Sequence, residues 1–168
     1  DSRLIQQCTT LIKRHRIEIL DLKCIDLTGT LHHISLPVHP RLLERLVDEG
    51  VGFDGSSYGF SKVENSDMVL VPDLSTAVVD PFRTVPTLSF YANICLTDDQ
   101  RTPFTQDGRA IARRAEALLK SHIGVDASRW GPEFEFYIFS RVKFDTRPHR
   151  VRRSTCKPWR GHPGGEPF

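Results

Sequence analysis

The sequence predicts an α+β fold, in which helices and a mixed sheet form a first domain and a second domain begins near residue 101. Three observations support this prediction. Segments with a helical apolar period alternate with short β-rich runs over the first hundred residues. Pro and Gly separate those runs, as they do between short strands. A polar stretch at 98–106 then precedes a new amphipathic helix, as expected at a domain boundary.

The first elements form a helix followed by a hairpin. Residues 3–15 place their apolar side chains at helical spacing, which predicts a helix. Two β-rich runs at 18–26 and 30–36 flank Thr28-Gly29, a pair that favours a tight turn. A short helix is predicted over 41–48, because Gly50 follows it at a position that favours helix termination.

A loop and a series of strands follow. The Gly-, Ser- and Asp-rich segment 52–66 predicts a loop. Strands are predicted at 68–71, 76–79 and 87–96, since Pro72, Pro81 and Pro86 bound these β-rich runs. An amphipathic helix is predicted over 107–121 and a further strand over 130–140.

These elements divide the chain into three predicted parts. Residues 1–100 are expected to form the first domain. Residues 101–145 are expected to form the start of a second one, because a single helix and strand cannot enclose a core. Residues 146–168 contain Arg, Pro and Gly without a hydrophobic period, which predicts a disordered tail.

Composition excludes some functional classes. The chain is 39% apolar and 26% charged, as in soluble globular proteins, and it lacks the roughly 18 consecutive apolar residues of a membrane helix. Residues 1–140 carry 15 Lys and Arg against 19 Asp and Glu, whereas 141–168 carry 8 against 2. The excess of basic over acidic residues is confined to residues 141–168. A uniformly basic nucleic-acid-binding protein would not divide its charge in this way, so we expect no nucleic-acid partner. The four cysteines lack metal-ligand spacing, which favours buried thiols and a cytoplasmic location.

Two carboxylates, Glu133 and Glu135, lie in the predicted strand at 130–140. Side chains alternate along a strand, so both acids share one face, with Cα atoms about 6.5–7 Å apart. One interpretation is a strand with a solvated face. The other is a pair of oxygen ligands for Mg²⁺ or Mn²⁺, which would offset the cost of burying two charges.

The loop at 52–66 contains a second candidate site. Asp54 precedes Gly55, and this pair and the serines after it are typical of a turn. Alternatively, Asp54 presents a carboxylate to a cation such as ammonium, which it attracts and from which it accepts hydrogen bonds. Asp67 lies just before the next predicted strand, where a capping or turn role that holds the loop 52–66 and a role facing a partner both remain open.

Five motifs occur in an order that resembles the N-terminal part of class I glutamine synthetases over residues 3–145. They are Phe-Asp-Gly-Ser-Ser at 53–57, Glu-Asn-Ser-Asp-Met-Val-Leu-Val-Pro-Asp at 64–73, Asp-Pro-Phe-Arg at 80–83, Ala-Arg-Arg-Ala-Glu-Ala-Leu-Leu-Lys at 112–120, and Gly-Pro-Glu-Phe-Glu-Phe-Tyr-Ile-Phe at 131–139. The resemblance implies a β-grasp-like N-terminal domain followed by the first helix and strand of a catalytic domain.

The resemblance also implies a reaction and a partner set. Glutamine synthetases ligate ammonia to glutamate with ATP, through γ-glutamyl phosphate, and assemble as two stacked hexameric rings. By position, Glu133 and Glu135 match acids that bind the family's two divalent metals. Asp54 and Ser57 match the loop offered to the ammonium site of a neighbouring subunit, and Asp67 matches a second acid near that interface.

The family's other metal ligands, and its Arg residues for phosphate and glutamate, find no match before residue 168. The match also fades after Phe144. We therefore expect a truncated gene product, with a shift of reading frame near 150–153 as one explanation, and a chain that is inactive alone. Two alternatives remain: a non-catalytic module that assembles with a full-length synthetase, and a relative that ligates another amine to the γ-carboxyl of glutamate.

Overall fold

The computed structural model describes residues 2–60, 66–143 and 155–158. The chain divides into two compact units, Asp1–Ser128 and Arg129–Phe168. The first unit contains the sheet and the three helices, and the second contains a two-stranded hairpin.

Secondary structure in the first unit begins with helix α1 (Ser2–Arg14), strands β1 (Ile19–Ile25) and β2 (Leu31–Pro37), and helix α2 (Leu42–Asp48). Strand β3 (Val51–Asp54) leads into a 3₁₀ turn (Gly55–Tyr58). The remaining elements are β4 (Asp67–Pro72), a 3₁₀ turn (Leu74–Thr76), β5 (Val78–Val79), β6 (Thr87–Leu96), α3 (Gly108–Leu118) and a π turn (Leu119–Ile123).

The sheet is mixed, with the strand order β2-β1-β6-β4-β3. Its centre is a parallel pair, β1 and β6, in which Ile19 aligns with Thr87. The other pairings are antiparallel, and β5 pairs with the first half of β6 on the edge where β4 pairs with the second half. Strand β6, the last of the sheet in chain order, therefore lies at its centre, and β2 and β3 form opposite edges.

The core lies on one face of this sheet. Side chains alternate along β1 and β6, so Leu20, Leu22, Leu88 and Phe90 point to the same face, where they are fully buried. Helices α1 and α2 cover this face with one apolar stripe each, and Cys8 of α1 is buried there. Burial of this apolar surface is the main term that stabilises the domain.

The opposite face carries a polar cluster centred on Asp21, whose side chain is 0% exposed. Its Oδ1 accepts hydrogen bonds from Ser35 Oγ at 2.6 Å and lies 2.7 Å from His33 Nδ1. Its Oδ2 lies 3.9 Å from Lys23 Nζ and 3.8 Å from Arg83 Nη2, without a hydrogen bond. The nearby cations offset the cost of burying the carboxylate.

Helix α3 is tied to the sheet mainly through charge. Asp107 caps the helix by accepting from the Arg109 amide, and the Asp107 side chain is buried. Asp73 Oδ2 accepts from Arg109 at 2.6 Å and from Arg113 at 2.7 Å. No residue of α3 itself is buried, and Ile111 and Leu118 are about half exposed, at 47% and 56%. The apolar stripe of α3 is thus open to solvent in this unit.

The predicted α+β class is confirmed, as is the mixed sheet. The predicted loop at 52–66 is wrong at its start, because Val51–Asp54 form β3. The predicted strand over 130–140 is also wrong: residues 131–138 form no strand, and β7 spans Phe139–Lys143. Strand β7 pairs with β8 (Thr155–Pro158), and backbone hydrogen bonding to a partner is what defines a strand.

The predicted tail, 146–168, lies outside the described residues except for β8. The predicted domain boundary at residue 100 stays a prediction.

Candidate functional site

Asp54 lies where β3 ends and the 3₁₀ turn begins. Its backbone is extended, with φ −84° and ψ 105°, as an N-terminal capping residue requires. Oδ1 accepts hydrogen bonds from the Ser56 amide at 2.9 Å and from Ser56 Oγ at 2.7 Å, and Oδ2 accepts from Ser57 Oγ at 3.3 Å. The turn thus fixes an exposed carboxylate at the edge of the sheet.

These hydrogen bonds act on the ionised form of Asp54. The Ser56 hydroxyl, followed by the Ser66 hydroxyl and the Ser56 amide, lowers the pKa of the carboxyl below its ordinary value. Asp54 is therefore an anion at neutral pH. Because its pKa is lowered, the carboxylate is a weak base, which suits it better to accept hydrogen bonds from a cation than to take up a proton.

Asp67 is the cross-strand partner of Asp54 in the antiparallel pair β3–β4. Directly opposed residues point to the same face, with Cβ atoms about 4.5–5.5 Å apart. The preceding pair, Phe53 and Met68, faces the core, so the two acids face the other way and are exposed. Two like charges at this spacing repel each other, and a bound cation would relieve that repulsion.

Gly55 allows the turn to approach β4 closely. A Cβ atom at this position would lie 2.6 Å from Met68 Sδ and 3.0 Å from the Ser66 carbonyl oxygen, closer than packed atoms allow. A larger residue fits only if the Met68 side chain moves and the Ser66 carbonyl shifts slightly. Within the Asp-Gly-Ser-Ser sequence, Asp54 thus caps the turn and Gly55 contacts β4.

An aromatic stack holds the far end of the turn. The Tyr58 ring stacks on His32 of β2, with ring centroids 4.1 Å apart, and on Phe53 of β3, with centroids 5.2 Å apart. Phe60 meets Tyr58 edge-on, and Phe104 packs against Phe60. The order of these residues along the chain gives no sign that β2 and this turn meet, so their contact could not be predicted from the sequence.

Glu133 and Glu135 belong to the second unit and lie before β7, not within a strand. Both side chains are exposed, as are Phe134 and Phe136 between and beyond them. Their carboxylate oxygens suit a hard divalent cation, but two residues supply fewer than the six ligands that Mg²⁺ takes. Among the described residues, no group of three or more His, Cys, Asp and Glu is arranged to hold a metal ion.

The predicted site residues thus fall in two places. Asp54, Ser57 and Asp67 come together at one end of β3 and β4, whereas Glu133 and Glu135 lie in the other unit. The direct pairing of Asp54 with Asp67 depends on β3, a strand that the sequence does not predict. In the part of the chain that the structure covers, no helix is long and apolar enough to cross a membrane.

Comparison with known proteins connects this geometry to one family. Residues 16–97 match the family model described as glutamine synthetase, beta-Grasp domain. The chain is 40% identical over 140 residues to the glutamine synthetase of Mycolicibacterium smegmatis, covering 82% of this chain and 28% of that protein. It is 42% identical over 135 residues to the glutamine synthetase of Pseudomonas taetrolens, covering 80% and 29% respectively.

A solved structure shares the fold. The cryo-EM structure of Plasmodium falciparum glutamine synthetase aligns with a TM-score of 0.65 at 18% identity, covering 92% of this chain and 29% of that chain. This chain therefore spans less than a third of the length of these relatives.

Proposed function

Residues 16–97 are a glutamine synthetase β-grasp domain, and on that premise we propose that this chain supplies the ammonium-site loop of an ATP-dependent ligase that joins ammonia to glutamate. The pairing of Asp54 with Asp67 carries the proposal, because it places two exposed carboxylates side by side at the end of the sheet. This arrangement suits ammonium, a small cation with several N–H donors.

We propose that Asp54 and Ser57 bind ammonium together. The Ser57 hydroxyl makes the longest of the hydrogen bonds described for Asp54, at 3.3 Å, so it is the easiest for a cation to displace. Once released, Ser57 Oγ acts as a second acceptor beside Asp54 Oδ2. Asp67 adds attraction from the neighbouring strand. The shorter bonds from Ser56 keep the carboxylate in place while this happens.

The site is proposed to act across a subunit interface of a homo-oligomer in the cytoplasm. Asp54 lies on β3, an edge strand of the sheet, so another subunit can approach it without disturbing the core. Binding of glutamate and ATP is assigned to that neighbour. The relatives named above support this assignment, because they are more than three times as long as the matched segment and so contain further residues that could bind these substrates.

Glu133 and Glu135 are proposed as ligands of Mg²⁺ or Mn²⁺, with further ligands from outside the described residues. A divalent metal in this family of reactions would neutralise charge on the phosphates of ATP during transfer of the phosphoryl group to glutamate. The two side chains are exposed, so they can adopt the positions that a metal imposes.

Ammonium binding can be tested by NMR on the 168-residue chain. Ammonium chloride is expected to shift the Asp54 carboxyl carbon and the Ser57 amide in a saturable way. Tetramethylammonium chloride at equal ionic strength is the control, because it has the same charge and no N–H donor. Asp54→Asn should abolish the ammonium response. An equal response to both salts would overturn the proposed role of Asp54.

A further inference from the structure

A cleft of about 340 Å³ lies between α1 and α2, the two helices that cover the core face of the sheet. Its volume falls in the range of roughly 300–1,000 Å³ that is usual for small-molecule sites. Helix α1 lines it with Thr9, Ile12 and Lys13, and the segment 38–44 lines it from β2 to the start of α2. Neither Asp54 nor Asp67 belongs to this lining, so the cleft is separate from the acidic pair.

The inner wall of the cleft is apolar. Leu42 and Leu43 form part of it and are buried in the core. Ile12 and Val38 also line the cleft, and they pack against the same core while keeping some exposed surface. Because these side chains have no hydrogen-bonding groups, the wall suits the hydrocarbon part of a ligand, whose contact would remove apolar surface from water.

Two exposed cationic side chains also line the cleft. Lys13 lies in the last turn of α1, and Arg41 comes directly before α2. Among the described residues, neither side chain forms an ion pair, whereas Arg45 on the next turn of α2 pairs with Glu49 at 3.0 Å. Glu44 is the single acid of the lining. Two cations against one carboxylate leave the cleft with an excess of one positive charge.

The backbone of Arg41 gives a separate reason to assign a role to its side chain. Its φ of 63° and ψ of 12° lie in the left-handed region, which non-glycine residues seldom adopt. Glycine would adopt this conformation without steric cost. An arginine that keeps a strained backbone beside a cleft points to a function of its guanidinium.

We propose that this cleft binds a small apolar carboxylate. The carboxylate pairs with Lys13 and Arg41, whose N–H groups donate charge-assisted hydrogen bonds to its oxygens. The hydrocarbon part lies against Ile12 and Val38. A single negative charge matches the excess of one positive charge, whereas a phosphate dianion would leave a charge uncompensated near Glu44. The proposal is independent of ammonium binding at Asp54.

The test is an NMR titration of the isotope-labelled 168-residue chain with sodium octanoate and sodium phenylacetate. Both salts supply one carboxylate, joined to an aliphatic chain in the first and to an aromatic ring in the second. We expect saturable shifts of the Lys13, Val38 and Leu42 amides, which belong to the cleft. Tighter binding of octanoate supports an acyl ligand, and tighter binding of phenylacetate supports an aromatic acid.

Two further compounds separate the two parts of the ligand. Acetate has the charge without the apolar body, and phenylethanol has the aromatic body without the charge. Both are expected to bind more weakly than the two acids, because an exposed ion pair alone contributes little and an uncharged ligand leaves both cations unpaired.

Three variants test the cationic side chains. Arg41→Gly removes the guanidinium and suits the left-handed backbone, so the fold should be retained. Arg41→Gly and Lys13→Gln should each raise the dissociation constant of the acids by roughly three- to tenfold. Arg14→Gln is the matched control, since Arg14 is an exposed cation of the same helical turn that does not line the cleft. Its dissociation constant should equal that of the unsubstituted chain.

The absence of a saturable response to millimolar concentrations of either acid would overturn the inference, and this result needs no variant to fold. Equal affinity for phenylacetate and phenylethanol would contradict the role of the cations. Equal affinity for acetate and octanoate would contradict the role of the apolar wall. A loss in Arg14→Gln as large as that in Lys13→Gln would reduce the effect to general surface charge and reject the site.

Discussion

Three aspartates of the sheet and its turns, Asp54, Asp26 and Asp21, are each held by a different set of hydrogen-bond donors. These donors determine the role of each carboxylate. Asp54 is exposed and held by short bonds from one serine, which leaves it open to a small cation. Asp26 is enclosed by its own turn and by His32, so it has a structural task. Asp21 is fully buried under two cations, a histidine and a serine. The same type of side chain thus has three tasks at these positions: the proposed cation binding at Asp54, turn formation at Asp26, and a buried polar cluster at Asp21.

Asp21 is expected to be the most sensitive of these acids to substitution. Asp21→Ala removes the acceptor for His33 and Ser35 and leaves Lys23 and Arg83 without their shared anion. A hydrogen bond to a charged group contributes about 1.5–3 kcal/mol, so we expect the free energy of unfolding to fall by about that amount. Urea unfolding followed by circular dichroism measures it.

The control for Asp21→Ala is Asp99→Ala, which removes an exposed carboxylate from the loop after β6. Surface substitutions of this kind change stability by less than about 0.5 kcal/mol. Equal losses for the two variants would contradict the importance assigned to the Asp21 cluster.

At the scale of single elements, Asp73 links α3 to the sheet through Arg109 and Arg113, in addition to the Asp107 cap. Burial tends to raise the pKa of Asp73, but hydrogen bonds from Ser75 and the charges of Arg109 and Arg113 outweigh it, and the pKa lies below its ordinary value. A carboxyl whose pKa is lower in the folded state stabilises that state above its unfolded pKa of about 3.9. This contribution is lost as the pH falls through the lowered folded pKa.

Asp73→Asn is therefore expected to speed hydrogen exchange of the α3 amides at pH 7, where the wild-type anchor is intact. In the wild-type chain, the same amides should stay protected as the pH falls to about 4 and lose protection below it. Exchange followed by mass spectrometry on peptides from α3 measures both effects. Glu116→Gln, which removes only the exposed pair with Lys120, is the control. Unchanged α3 exchange in Asp73→Asn would refute the anchor.

The elements differ in how well the sequence predicts them, and the reasons are physical. Helix α1 has a clear helical period, strand β2 has a clear alternation, and β1 and β6 are β-rich runs buried on both faces, so pattern and structure agree. Strand β3 has four residues, two of them Gly52 and Asp54, which are uncommon in strands. It forms because β4 offers its free edge, and that pairing is not visible in local sequence.

The segment 131–138 shows the converse. Its aromatic and β-branched residues favour a strand, but strand formation needs a hydrogen-bonding neighbour, and Phe134 and Tyr137 are 86% exposed. The candidate site follows the same logic. Asp54, Ser57 and Asp67 were found from motifs, whereas the contact of Tyr58 with His32 depends on how two distant segments meet.

For the whole molecule, the two units contribute unequally to the proposed reaction. The first unit presents Asp54 and Asp67 beside a buried core, whereas the second contributes only two exposed carboxylates, Glu133 and Glu135, to the proposed metal site. We expect the 168-residue chain alone to show no ATP-dependent glutamine formation, to the detection limit of a coupled assay. The full-length Pseudomonas taetrolens enzyme, assayed alongside, is the control. Glutamine formation by the purified chain would contradict this expectation.

The central parallel pair of the sheet also sets the order in which the domain can fold. Strand β1 ends at Ile25, but its partner β6 begins at Thr87, and β4 needs β6 as well. At roughly 5–20 residues per second, the ribosome needs about 3–14 s to make the residues between the start of β1 and the start of β6. Until β6 has been made, β1 has only β2 as a hydrogen-bonded neighbour. An isolated two-stranded hairpin is only marginally stable in water. Because β1 and β4 both pair with β6, the sheet can be completed only after β6 has been made.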